Sequence, residues 1–237
     1  QLINLSLSMG MPARILALAM QVHMAPRVLK TGGFCSGIIG VSRSILAGCK
    51  FSNGFARTIT HDVLEKVHTR MGPSSMIEEF VDDVAQSVRG RSAGEVLDET
   101  VSIATALVEG FSAQGLKVSS KSVVVSSDRT LGKKVKDALA QSGIAVYNAD
   151  QTKDLGVDAG AGARRSTINQ QKRIKKATAR ALRVKWLQSK TRKGKNLYLA
   201  NVRPVMSYGI SGMGMAPSSI SRMRSTAGMA ALGAQGQ

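Results

Sequence analysis

Acidic side chains are missing from both ends of this 237-residue chain: none precedes Asp62 and none follows Asp158. Residues 1–158 carry 17 basic and 15 acidic side chains, whereas 159–237 carry 16 basic and no acidic ones. The net charge of +18 therefore sits almost wholly in the last third. Such a block points to a polyanion, nucleic acid first, because neutralised phosphates release their condensed counterions. A solubilising tail or a membrane-surface segment is the alternative. Long apolar runs are missing too: no stretch of about 18 uncharged apolar residues occurs, so no transmembrane helix is expected. Cysteine is scarce. Cys35 and Cys49 give no disulfide framework and fit a reducing compartment, and with His61 and His68 they do not match zinc-finger spacing. There is no Ser/His/Asp set, no nucleotide-binding P-loop and no dinucleotide glycine fingerprint; Gly160-Ala161-Gly162 reads as a turn. The chain opens on Gln1 without a secretory pattern, and the expectation is a piece of something longer.

What is present suffices for a core, since 43% of residues are hydrophobic, and the composition is not that of a disordered chain. Helices are expected over 12–29, with Pro12 in the first turn and Pro26 ending or kinking it, and over 51–70, stopped by Gly72-Pro73. A helix over 92–113, a strand at Val123-Val124-Val125 and a helix over 130–141 follow. Ile144–Tyr147 and Asp154–Val157 are short strand candidates, and further helices are expected over 164–189, 193–208 and 217–231. Alternating strands and helices suggest an α/β or α+β domain. The charge step and the glycine-rich turn place a boundary near residue 160.

Two segments carry chemistry. Phe80-Val81-Asp82-Asp83 sets adjacent carboxylates after an aromatic and a β-branched residue. At the tip of a hairpin such a pair can hold divalent metal for phosphoryl transfer, and hard oxygen ligands suit magnesium. Yet Ile77, Phe80, Val81, Val84 and Val88 also fit one face of an amphipathic helix, and by periodicity alone the helix fits better. The second segment is the basic helix after residue 164. At 100° per residue Lys172, Lys176, Arg180 and Arg183 fall on one stripe, with Ile174, Ala177, Ala181 and Val184 opposite. One face packs and the other meets a polyanion. Trp186, Tyr198 and Tyr208 are candidates for stacking on bases, but at helical spacing each is expected more often in the core. His23 and His61 are expected to be packing or surface residues.

Taken in order, these segments resemble the later part of a reverse transcriptase of the non-LTR retrotransposon type, over most of the chain. Phe80-Val81-Asp82-Asp83 resembles that family's aromatic-x-Asp-Asp hairpin, and this context turns the segment from helix to hairpin. Leu46-Ala47-Gly48-Cys49-Lys50-Phe51-Ser52 resembles the segment lining template and incoming nucleotide. Gly115-Leu116-Lys117-Val118-Ser119-Ser120-Lys121-Ser122 resembles the Gly-Leu strand whose lysine lies near the triphosphate, and Leu155-Gly156-Val157 the primer-grip strand. Ala47, Asn53, Ser119 and Asp154 depart from the residues usual at those places. The family also needs a metal-binding aspartate upstream of the 12–29 helix, and residues 1–61 hold no acid at all. That aspartate would lie before Gln1.

The resemblance implies an α+β fold: a helical segment at 1–33, a partial polymerase palm at 34–160 with a palm-like antiparallel sheet and packed helices, and a basic helical thumb at 161–237. It implies an RNA-directed DNA polymerase acting by a two-metal mechanism, with Mg2+ on Asp82 and Asp83 and with Lys121 near the triphosphate. Gly48 and Phe51 would line the nucleotide site, and Leu155 and Gly156 would form the primer grip. Arg164, Arg165, Lys172, Lys176, Arg180, Arg183, Arg192, Lys193 and Lys195 would hold nucleic acid. RNA template, DNA primer and deoxynucleoside triphosphates are the implied partners, with no membrane and an intracellular, nuclear setting. Without its upstream aspartate the clamp is incomplete and this chain alone is expected to be inactive. The alternatives are a non-catalytic basic RNA- or DNA-binding protein, a decayed retroelement remnant among them, and a merely structural basic domain.

Overall fold

A computed structural model of the chain describes residues 2–41, 45–46, 48–160, 166–191 and 194–232. The fold is mixed α+β. Contacts group the chain into two units, residues 1–122 with 137–145, and residues 123–136 with 146–237. Among the described residues the strands form four separate two-stranded sheets, and no helix is long and apolar enough to cross a membrane.

The first unit begins with α1 (Leu2–Ser8) and α2 (Ala13–Met24), which ends just before Pro26. A small antiparallel pair, β1 (Lys30–Thr31) and β2 (Phe34–Cys35), leads on to α3 (Ser52–His68). Leu16, Ala19 and Phe55 form one core cluster, with the buried His23 ring meeting Phe55 edge-on at 5.1 Å. Antiparallel strands β3 (Ser75–Phe80) and β4 (Asp83–Val88) follow, then α4 (Ala93–Ala113). The start of α4 is a reciprocal cap: Ser92 Oγ accepts from the Glu95 N–H, and the Glu95 carboxylate accepts from the Ser92 N–H. Val63 and Val67 of α3 pack on Ile103, Leu107 and Phe111 of α4, and the hairpin lays Ile77, Val84 and Val88 against that cluster. Close approach of α3 and α4 depends on Gly110, where a Cβ would stand 2.5 Å from Val63 Cγ1.

Two expected strands begin instead as helix ends, although the last residue of the second, Tyr147, does lie in a strand. Gly115, at φ 76°, and Leu116 close α4 through N–H bonds from Leu116 to Phe111 O (2.9 Å) and from Gly115 to Ser112 O (2.9 Å). Gly143 and Ile144 close α5 (Arg129–Gln141) in the same way, through Ile144 N–H to Leu139 O (2.9 Å) and Gly143 N–H to Ala140 O (3.0 Å). Both are glycine C-caps with the following apolar residue turned inward. The segment Gly115–Ser122 is accordingly not a strand, and it runs into an exposed turn at Ser119–Ser122.

In the second unit β5 (Val123–Val124) pairs parallel with β6 (Tyr147–Asn148), a pairing that the intervening helix makes possible as a crossover. Antiparallel β7 (Gln151–Asp154) and β8 (Val157–Gly160) come next. The expected strand over Asp154–Val157 is therefore a turn. Leu155 at φ 44° and Gly156 at φ 85° occupy the two left-handed positions of a tight hairpin loop, with strands on either side. Helix α6 (Ile168–Gln188) packs Ile174, Ala177, Ala181 and Val184 against Val202, Met206 and Ala230. The helix expected over 193–208 is divided into α7 (Gly194–Leu197), a π-helical turn (Tyr198–Val202) and α8 (Arg203–Ser207). Short α9 (Ile210–Met213) and α10 (Pro217–Leu232) complete the unit.

Candidate nucleic-acid interface

At the β3–β4 hairpin the periodicity of residues 77–88 is satisfied by alternation instead of by a helix. Phe80 pairs with Asp83, leaving Val81 and Asp82 as a two-residue turn. Val81 sits at φ 63°, a conformation that β-branched residues adopt only under strain. Phe80 is 61% exposed, and Asp82 and Asp83 are both exposed at the tip. Neither carboxylate has a hydrogen-bond or ion-pair partner among the described residues, whereas Glu79 turns inward and accepts from the Thr60 hydroxyl of α3. Glu99 likewise holds the strand entry, accepting from the Gly72 N–H at 2.8 Å and the Ser75 hydroxyl at 3.0 Å. Among the described residues no three His, Cys, Asp or Glu side chains come together to hold a metal ion. Asp82 and Asp83 supply two adjacent, exposed carboxylates at the hairpin tip.

The other expected residues of this unit are placed around its helices. Gly48, at φ 82°, and Phe51 precede α3, and the Phe51 ring packs on Phe55 at 6.4 Å, so it is half core. Ala47 lies outside the described residues. Lys121 is exposed in the turn after α4.

Helix α6 bears out its two-faced reading. Ile174, Ala177 and Ala181 are fully buried and Val184 nearly so, while Lys172, Lys176 and Arg183 are exposed and Arg180 half-buried, its guanidinium donating to Asn201 O at 3.3 Å. Lys195 is exposed on α7; Arg164, Arg165, Arg192 and Lys193 lie outside the described residues. Trp186 corrects its expectation: it is 64% exposed on α6 instead of buried in the core, and Tyr208 is 49% exposed. Tyr198 does join the core margin, where burial raises its phenol pKa against the opposing charge of Arg203.

The turn of the β7–β8 hairpin is tied to α6 at several points. Arg173 donates to Gly156 O and, at 3.4 Å, to Tyr208 O, and its guanidinium lies 5.4 Å from the centre of the Tyr208 ring. The Tyr208 hydroxyl donates to Leu155 O at 2.5 Å. A Cβ at Gly156 would stand 3.1 Å from the Tyr208 ring, so glycine is required there by contact as well as by φ. These ties shape a groove of about 430 Å3 lined by Lys153, Leu155, Gly156, Asn169, Lys172, Arg173, Lys176 and Tyr208. Among the described residues four cations and no acid line it. Leu155 and Gly156 thus line the same groove as Lys172 and Lys176. Lys153, Asn169 and Arg173 were not among the expected residues, whereas Tyr208 was a candidate for stacking on bases.

The start of α6 behind the groove rests on an acid that no local motif marks. Asp158, 5% exposed on β8, accepts from the Asn169 N–H (2.8 Å), the Asn169 side-chain amide (2.8 Å) and the Gln170 N–H (3.0 Å). It caps the first turn of α6 from another element, since Thr167 makes no side-chain cap of its own. Burial by itself would raise its pKa, but those hydrogen bonds, with the charge of Arg173, outweigh burial and hold the carboxyl below its ordinary value. The chain's last acid is thus held at the start of α6 and faces only one of the groove's cations, Arg173, so the groove keeps a net positive charge. No family model, curated protein or solved structure matches the chain.

Proposed function

We propose that the chain is the later palm and the thumb of an RNA-directed DNA polymerase of the non-LTR retrotransposon type, and that its own residues contribute nucleic-acid binding. The observation that carries the binding is the groove of Lys153, Lys172, Arg173 and Lys176, continuous with the exposed cations of α6 and free of acids. Phosphate oxygens are the partners such an array suits, and the ordered motifs around Asp82, Lys121 and Leu155-Gly156 connect it with a polymerase. In that setting Asp82 and Asp83, unpaired at a hairpin tip, would hold Mg2+ together with an aspartate from outside this chain. When bound, the metal would supply neutralisation of the charge developing as a primer 3′-hydroxyl attacks a deoxynucleotide α-phosphate. The chain's own part is to position: the groove cations hold the backbone, and the braced hairpin turn fixes their spacing.

Binding of a labelled RNA–DNA primer–template tests this. Affinity is expected to fall steeply between 50 and 200 mM salt, with a log–log slope of about −0.9 for each cation engaged. Lys176→Glu should reduce binding, Asp82→Asn should leave it unchanged, and the chain alone should extend no primer. A second reading is a binding module without catalysis, which the cationic groove alone would serve. Joining an upstream segment that bears an aspartate distinguishes the two: extension lost again in Asp82→Asn supports the polymerase, and its absence supports the module. No duplex binding at low salt would leave only a structural basic domain.

A further inference from the structure

The outward face of α6 holds a residue the groove does not use. Trp186, the sole tryptophan of the chain, is 64% exposed, and Leu182 one turn before it is 54% exposed. At 100° per residue Lys175, Ala179, Leu182 and Trp186 share a stripe, Lys172, Lys176 and Arg183 lie beside it, and the buried stripe lies opposite. All seven outward side chains are exposed, and none is acidic. The backbone beneath the indole is held, because the Ser189 hydroxyl donates to Trp186 O at 2.6 Å.

Charge selects an anionic partner, and the indole selects among anions. A lipid surface takes up a helix through a wide apolar face. The wide apolar face of α6 is already consumed by the core; outside it Leu182 and Trp186 stand among four cations, with Ile168 exposed at the helix start. A duplex offers phosphates and base edges, its bases being stacked on one another, whereas an unpaired base presents a flat π-face. We infer that the outward face of α6 binds a single-stranded segment of nucleic acid, with an unpaired base stacked on Trp186 and neighbouring phosphates on Lys175, Lys176 and Arg183. This rests on the nucleic-acid reading above and adds to it the strandedness of the ligand and the stacking residue. At about 1.5 Å of rise per residue, Lys175 and Trp186 stand roughly 16 Å apart along the helix, a span of several nucleotides.

Because the chain has one indole, its fluorescence reports this face alone. Titrating the full chain with oligothymidylate should quench that fluorescence, and an abasic oligomer of equal length should bind more weakly without quenching. Trp186→Ala should weaken oligothymidylate binding roughly 5- to 150-fold, read by anisotropy of a labelled strand, and leave the abasic strand's affinity unchanged. Lys176→Gln and Arg183→Gln should each flatten the log–log salt slope by about 0.7. Equal binding of abasic and base-bearing strands without quenching would overturn the stacking while leaving the nucleic-acid reading in place. Loss of all strand and duplex binding at low salt would overturn both. A blue shift with phosphatidylserine vesicles, and none with oligonucleotide, would assign the face to membrane and overturn the inference.

Discussion

Replacing Asp158 separates the two halves of what that carboxylate does. It is buried, and it receives two backbone N–H groups from the first turn of α6 and one side-chain amide, at 2.8 to 3.0 Å. In Asp158→Ala both backbone donors are stranded away from water, at about 1–3 kcal/mol for each unsatisfied group, and a favourable charge at the positive end of a helix is lost. We expect Asp158→Ala to cost about 3 kcal/mol in urea unfolding followed by far-UV circular dichroism. Asp158→Asn keeps one carbonyl acceptor but faces the Gln170 N–H with its own amide, and should cost about 2 kcal/mol. The pH dependence follows from the direction of the shift. A carboxyl held below its ordinary value binds protons less readily folded than unfolded, so its contribution is complete above the unfolded value of about 3.9 and is lost as pH falls through the lower folded value. Wild type and Asp158→Asn should therefore differ most at neutral pH and converge in strong acid. Equal differences at pH 7 and pH 2.5, or a difference under about 0.5 kcal/mol at pH 7, would refute the capping role.

Three further outcomes are expected. Val81→Gly should stabilise the chain by about 1 kcal/mol in the same unfolding measurement, because glycine accepts a φ of 63° that valine adopts under strain. Gly110→Ala should destabilise it by about 1 kcal/mol net, overpacking against Val63 outweighing the helix propensity of alanine, and the double variant with Val63→Ala should lose less than the sum of the single changes. His23, whose Nδ1 accepts from the Leu46 N–H at 2.9 Å, has its pKa lowered by burial and then by Arg27. Its folded form disfavours the charged ring, so stability should hold above the unfolded value of about 6.5 and fall as pH drops below it, with the ring's NMR titration displaced to acid.

Legibility in the sequence followed the range of the interactions. The two faces of α6 were visible because a 3.6-residue period places Ile174, Ala177, Ala181 and Val184 together whatever they pack against. The β3–β4 hairpin was not visible from periodicity, since Ile77, Val84 and Val88 satisfy both a helix stripe and a strand alternation; only Phe80, outward in the hairpin, separates the two. Gly115-Leu116 and Ile144 looked strand-like because an apolar residue after glycine marks a strand entry and a helix C-cap alike. Asp158 caps a helix ten residues downstream, a pairing no local pattern announces. Trp186 is expected in the core because helix-spaced aromatics are usually buried, and its exposure depends on which stripe the core selects.

The consumption of Asp158 leaves residues 159–237 with 16 cationic side chains and no counter-charge of their own. The packed cluster around Ile174, Val202 and Met206 is thus assembled against its own repulsion. Added salt screens that repulsion, so this part of the fold should firm as ionic strength rises, while its hold on phosphates slackens over the same range. A bound polyanion would meet both needs at once, and by linkage its occupancy would raise the melting temperature most where salt is lowest.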